Sequence, residues 1–156
     1  RTELIDRSPE ASMEARSLYT GDEHEYVKAA VKRFGELGTV EWRIISAGFG
    51  VVQPDTVLPS YECTFRDDGS VRQRVENHGR DPAALTKAER IEVVARELGI
   101  PTAIEEWLNI DPDILFVVLG RDYLIAADSA LSGIPDETVA FAFAANGTRE
   151  LIGGCR

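Results

Sequence analysis

Three features of the chain predict a three-layer α/β domain with a mostly parallel central sheet. Residues 114–119 (Ile-Leu-Phe-Val-Val-Leu) are an uninterrupted apolar run, the pattern of a strand covered on both faces. Residues 40–47 read as another buried strand, and it runs into a loop broken by Gly48 and Gly50 and stiffened by Pro54. Around these two, strand-like stretches alternate with stretches of helical period, the order that builds parallel sheets with crossover helices. A chain of 156 residues, 44% hydrophobic, suits one domain with a single core.

Residues 1–10 are polar and without period, so they read as an arm. Ala11 to Tyr19 suits a short helix. Thr20 and Glu23 then have capping-box spacing for a longer helix. Its apolar residues Tyr26, Val27, Ala30, Val31, Phe34 and Leu37 share one face, with Gly38 placed to end it. After the strand at 40–47, Tyr61 to Phe65 suits a shorter one. Residues 66–85 are polar and of mixed charge, and they read as a functional or mobile loop. Thr86 and Glu89 form a second capping box, for a helix to about Leu98 with Gly99 behind it. Thr102 and Glu105 suggest a third capped helix carrying Trp107 and Leu108. The strand at 114–119 turns through Gly120-Arg121-Asp122 into a helix ending near Leu131. Residues 139–145 read as a last strand, closed by a turn at Asn146-Gly147. The expectation is therefore one α/β domain over 1–156. Its start at Arg1 rather than Met and its abrupt stop at Arg156 suggest that its true start and its true C-terminus are missing.

The net charge is −10, from 27 acidic and 17 basic residues, and only Lys28, Lys32 and Lys87 are lysines. An acidic, lysine-poor surface suits a halophilic source; an ordinary acidic protein from an arginine-favouring genome fits as well. Such a body repels phosphate backbones unless a local basic patch intervenes, which excludes generic coating of DNA. No run of about 18 apolar residues is present, so no membrane helix is expected. Cys63 and Cys155 lie far apart without metal-ligand spacing, which suggests a reduced, cytoplasmic setting and no metal. Asn146-Gly147-Thr148 matches a glycosylation sequon and is read as a turn.

Several segments together resemble a known family. Residues 15–21 (Ala-Arg-Ser-Leu-Tyr-Thr-Gly), residues 45–55 (Ile-Ser-Ala-Gly-Phe-Gly-Val-Val-Gln-Pro-Asp) and Pro59-Ser60-Tyr61 resemble a family of uncharacterised prokaryotic domains. Their usual pattern is A-R-x-L-Y-T-G, then S-A-K-Y-G-L-L-x-P-D, then P-Y. The YaaA peroxide-stress family is more distantly similar, and Leu119 to Leu124 looks like the G-x-x-Y turn of these domains. The resemblance covers roughly residues 15–65 well and 113–125 loosely. It implies an α/β fold and, through YaaA, a DNA-associated role in protection, modification or defence. Gly48 stands where the family usually has lysine and Phe49 where it has tyrosine, so an amine and a hydroxyl are missing. The family's opening strand with its Cys/Ser-Lys motif has no counterpart here.

The candidate site follows from the strand-end rule of open α/β sheets. The loop 46–55 offers backbone N–H groups at Gly48 and Gly50, the Ser46 hydroxyl and the Asp55 carboxylate. The turn at Arg121-Asp122 offers a helix N-terminus and a guanidinium. In one parallel sheet both would share a rim. The expected ligand-binding set is Ser46, Gly48, Phe49, Gly50, Arg121, Asp122, Tyr61 and Arg16, the last drawn in with Tyr19 by the resemblance. Asp55 is the candidate for base contact or general base, and no cofactor is expected. Arg66, Arg72, Arg74, His78 and Arg80 form a basic-rich segment that either touches a phosphate backbone or is a solvated loop of mixed charge.

Recognition of nucleic acid or a nucleotide is the function these features favour. One alternative is a hydrolase of N-glycosidic bonds using Asp55 and Glu62. The other is a non-catalytic interaction module, with a protein partner in a multi-component system, marked by an exposed apolar patch near Trp107.

Overall fold

A computed structural model describes residues 12–61, 63–143 and 148–152. The expected arm at 1–10, the turn and sequon at Asn146-Gly147, Glu62 and Cys155 lie outside the described residues. The chain divides into two compact units, one of residues 1–46 with 52–62, the other of residues 47–51 with 63–156.

The first unit opens on β1 (Ser12–Glu14), which pairs antiparallel with β4 (Val57–Pro59), Met13 opposite Leu58. The short helix α1 (Ala15–Leu18) follows directly, with backbone bonds from Ala15 N–H to the Thr56 carbonyl (2.8 Å) and from Arg16 N–H to that of Pro54 (2.9 Å). The helix expected from Ala11 thus gives its first residues to a strand. Helix α2 (Asp22–Gly35) starts after Gly21, and no side chain caps it. Thr20 is not its cap. None of its residues is buried, and the apolar stripe on its one face leaves Tyr26 75% exposed and Phe34 41% exposed.

The expected strand at 40–47 contracts to β2 (Ile44–Ser46), which forms a two-stranded sheet with β3 (Gly50–Val52). Tyr61 and residues 63–65 are not in a strand, and the nearest pairing is that of β4.

The second unit is mostly helical. The segment at 66–85, expected as loop, contains α3 (Asp68–Asn77), capped by the Asp67 carboxylate on Gly69 N–H, and a short 3-10 turn at Pro82–Ala84 capped by Asp81. Helix α4 (Lys87–Glu97) carries the full capping box expected at Thr86 and Glu89, and Gly99 follows in the left-handed region at φ 67°. Helix α5 (Ile100–Leu108) begins two residues before the expected cap at Thr102, with Gly99 before it and Pro101 in its first turn. Strand β5 (Ile114–Val118) leads into α6 (Arg121–Ala127), then a 3-10 segment (Asp128–Gly133) and β6 (Val139–Phe143). Helix α4 packs against α3, α5 and α6, and Val75, Ile91, Val94, Ile100 and Leu124 are almost wholly buried in this unit.

The Arg90 side chain ties the segment before α4 to it. It is buried and donates to Asp68 Oδ1 (2.7 Å), to the Pro82 carbonyl (3.1 Å) and to the Leu85 carbonyl. Three polar partners offset the cost of burying its charge.

Among the described residues no mostly parallel central sheet forms, which corrects the three-layer expectation. The described strands form three separate two-stranded sheets, and of these β5 with β6 is parallel. Three residues separate β2 from β3, too few for the crossover that a parallel neighbour needs. The loop read as leaving the carboxyl end of a sheet strand is instead the turn of a tight strand pair. Among the described residues no helix is long and apolar enough to cross a membrane.

Two predictions follow from the helix ends and the buried charge. Thr86→Ala removes a formed cap and should cost about 1 kcal/mol in chemical denaturation, whereas Thr20→Ala should stay within about 0.5 kcal/mol. Hydrogen bonds from Arg72 and then from Arg90 hold the Asp68 carboxyl below its ordinary pKa. A carboxyl depressed in this way contributes stability above its unfolded pKa and loses it as pH falls through the folded one. Asp68→Asn should therefore lower the melting midpoint at neutral pH. In melts below the ordinary carboxylate range the gap to the wild type should close.

Candidate functional site

An open cleft of about 490 Å³ lies in the first unit, between α2 and the segments on either side of the β2–β3 pair. Four cations line it: Arg16, Lys28, Lys32 and Arg43. Glu41 and Asp55 supply two carboxylates, while Val31, Trp42 and Pro54 make up apolar wall. A lining with four positive and two negative side chains stands out in a chain of net charge −10. Two of the chain's three lysines are here, four residues apart and so on one face of α2.

Three of the cations have acidic neighbours. Arg16 meets Glu14 at 2.6 Å, Lys28 meets Glu25 at 2.5 Å and Arg43 meets Glu41 at 3.0 Å. Among the described residues Lys32 makes no ion pair, and it is exposed. Solvent-facing pairs of this sort contribute at most about 1 kcal/mol each, so an arriving polyanion displaces their carboxylates at little cost. Arg43 is the best held of the four, since it also donates to the Trp42 carbonyl at 2.9 Å.

The cleft wall is braced from behind. His24 Nε2 lies 2.9 Å from the Arg16 carbonyl oxygen, and its ring packs 5.4 Å from that of Trp42 and 5.8 Å from that of Tyr19. His24 is itself half-buried. Beside this brace, the Tyr61 hydroxyl hydrogen-bonds both the Tyr19 hydroxyl and the Ser46 hydroxyl. Three separate pieces of the sequence pattern thus meet through one phenol. Ser46 is fully buried there, so its hydroxyl holds the unit together and is not displayed to solvent.

The other expected site residues are distributed differently. Arg16 and Asp55 both line the cleft. Gly48, Phe49 and Gly50 fall in the second unit, as do Arg121 and Asp122. Gly50 has φ 81°, and a Cβ there would lie 2.7 Å from the Leu98 carbonyl oxygen. A close backbone approach and a left-handed conformation explain this glycine without any ligand. Asp122 pairs with Lys87 at 2.8 Å, and Arg121 is exposed at the start of a helix of only seven residues. The shared rim expected for the two loops depended on one sheet, but β2 and β5 belong to different sheets.

The basic-rich segment is largely engaged internally. Arg72 pairs with Asp68 at 2.8 Å and His78 with Glu97 at 2.6 Å, while Arg74 donates to the Ala47 carbonyl. Cys63 is half-buried, with its Sγ 3.6 Å from that same carbonyl oxygen. Among the described residues no three His, Cys, Asp or Glu side chains gather as they would around a metal ion.

No protein-family model matches the chain, and no curated protein or solved structure is significantly similar to it.

Lys28, Lys32, Trp42 and Arg43 were not among the residues expected at a site. For the two lysines a signal was in plain view, a scarce residue type recurring at i and i+4 on one helix; Trp42 and Arg43 carried none. Gly50→Ala should destabilise the protein by about 2 kcal/mol or more in chemical denaturation, because the left-handed conformation alone costs about 1–3 kcal/mol.

Proposed function

We propose that the cleft binds a phosphorylated, base-bearing ligand, a nucleotide or a stretch of nucleic acid. The cationic lining within an acidic chain carries this proposal. Phosphate oxygens would take the forked guanidinium donors of Arg16 and Arg43 and the ammonium groups of Lys28 and Lys32. The Trp42 ring in the wall offers a stacking surface for a base, an interaction worth about 1–3 kcal/mol. The net charge of the chain opposes long-range attraction, so binding depends on contacts within a Debye length of roughly 8–10 Å. A cytoplasmic setting and a part in DNA protection, modification or defence agree with this proposal and with the sequence resemblance.

Asp55 in the lining favours a second possibility, cleavage of an N-glycosidic bond with its carboxylate as general base. Asp55→Asn separates the two, because hydrolysis would stop while ligand binding survived.

Binding of nucleoside monophosphates, triphosphates and short single-stranded DNA, followed by fluorescence of the tryptophans, is the direct test. Lys32→Ala should weaken binding roughly tenfold, as loss of a hydrogen bond to a charged group does, and should reduce the salt slope by about 1. Trp42→Ala should weaken ligands with a base and leave inorganic phosphate unaffected. Equal affinity of the wild type and Lys32→Ala for every phosphorylated ligand would refute the proposal.

A further inference from the structure

The β5–β6 pair departs from the ordinary condition of parallel strands, which are covered on both faces. Leu115, Val117 and Ala140 point inward and are buried. The opposite face presents Ile114, Phe116, Val118, Val139, Phe141 and Phe143, with no charged side chain among them. Exposure there is 53% for Ile114, 41% for Phe116, 47% for Val139, 42% for Phe141 and 61% for Phe143. The register sets Phe116 opposite Phe141, their rings stacked with centroids 5.6 Å apart, and Phe143 lies 6.3 Å from Phe116. The result is a continuous aromatic and β-branched surface, the composition of an interface centre.

We infer that this face is the contact between two copies of the chain, packed sheet on sheet about a two-fold axis. The area supports this occupant. The exposed parts of these side chains come to roughly 500 Å² per copy, so self-burial removes about 1,000 Å², the threshold of a specific interface before its rim is counted. A patch of one apolar chemistry can meet its own copy about a two-fold axis, as an isologous contact requires. The charges around it agree. Asp111, Asp113, Asp136 and Glu137, all exposed, cluster where the two strands begin. With the strands of the two copies running in opposite directions, the acidic clusters lie at opposite ends of the interface. Each then faces the strand ends of the other copy, where Arg121 is exposed.

Analytical ultracentrifugation over a concentration series tests the inference. The expected species has twice the 17.2 kDa mass of the chain. Raising salt should strengthen it by screening the repulsion between two acidic bodies, the opposite of the salt effect expected at the cleft. Phe141→Glu should weaken dimerisation about a hundredfold or more by burying an unpaired charge, with unchanged circular dichroism, and Phe141→Leu should retain the dimer. Should the glutamate variant fail to fold, fluorophenylalanine in the wild type gives an independent readout: ¹⁹F signals of Phe116, Phe141 and Phe143 should shift on dilution. A monomer at all concentrations overturns the inference, as does a folded Phe141→Glu dimer. So does a monomer that instead takes up a basic amphipathic peptide on this face.

Discussion

A single guanidinium organises the second unit. Arg90 sits inside it, 5% exposed, and reaches three parts of the preceding segment at once: the Asp68 carboxylate at the start of α3, and the carbonyls of Pro82 and Leu85 around the 3-10 turn. A buried charge tolerates few arrangements, because each donor left without an acceptor costs free energy comparable to a lost hydrogen bond. The polar segment at 66–85 is therefore ordered, despite a composition that resembles a mobile loop. Its apolar contribution is small: Val71 and Val75 on α3 and Pro82 in the 3-10 turn are its buried apolar residues.

The first unit solves a different problem. It has few buried residues and is held by directional contacts: the β1–β4 pair, the backbone bonds of Ala15 and Arg16, and the Tyr61 hydroxyl shared between Tyr19 and Ser46. Helix α2 buries nothing completely, so its residues remain available to build a surface. Two of its lysines join Arg16 and Arg43 around a cleft whose charge opposes that of the chain as a whole. Local clustering, rather than net charge, is what allows an acidic protein to hold an anion.

Much of the element order was legible in the residues. The apolar run at 114–119, the apolar stretch at 139–145 and the Thr86–Glu89 capping box each carry a strong local signal; strands form at Ile114–Val118 and Val139–Phe143, and the capping box forms in full. Weak signals failed for identifiable reasons. Thr20 has capping-box spacing, yet Gly21 precedes the first helical residue and no side chain caps it. Asp67 was read as part of a charged loop although it is an N-cap by type, because the helix it opens has only two buried positions. Of the expected site, Arg16 and Asp55 line one cleft, while Gly50 owes its identity to the nearby Leu98 carbonyl.

By itself the sequence determined the acidic charge, the scarcity of lysine, the strong helix and strand nuclei and the break after Ala47, since these depend on composition and on neighbours a few residues apart. Strand pairing was decided by the tertiary structure. A run of apolar residues says that a strand wants burial but not which partner supplies it, and here β5 found β6 while β2 closed on β3. The cleft belongs to the same category. Arg16 and Arg43 are unremarkable in order along the chain, and only the folded backbone brings their charges and those of Lys28 and Lys32 around one volume of space.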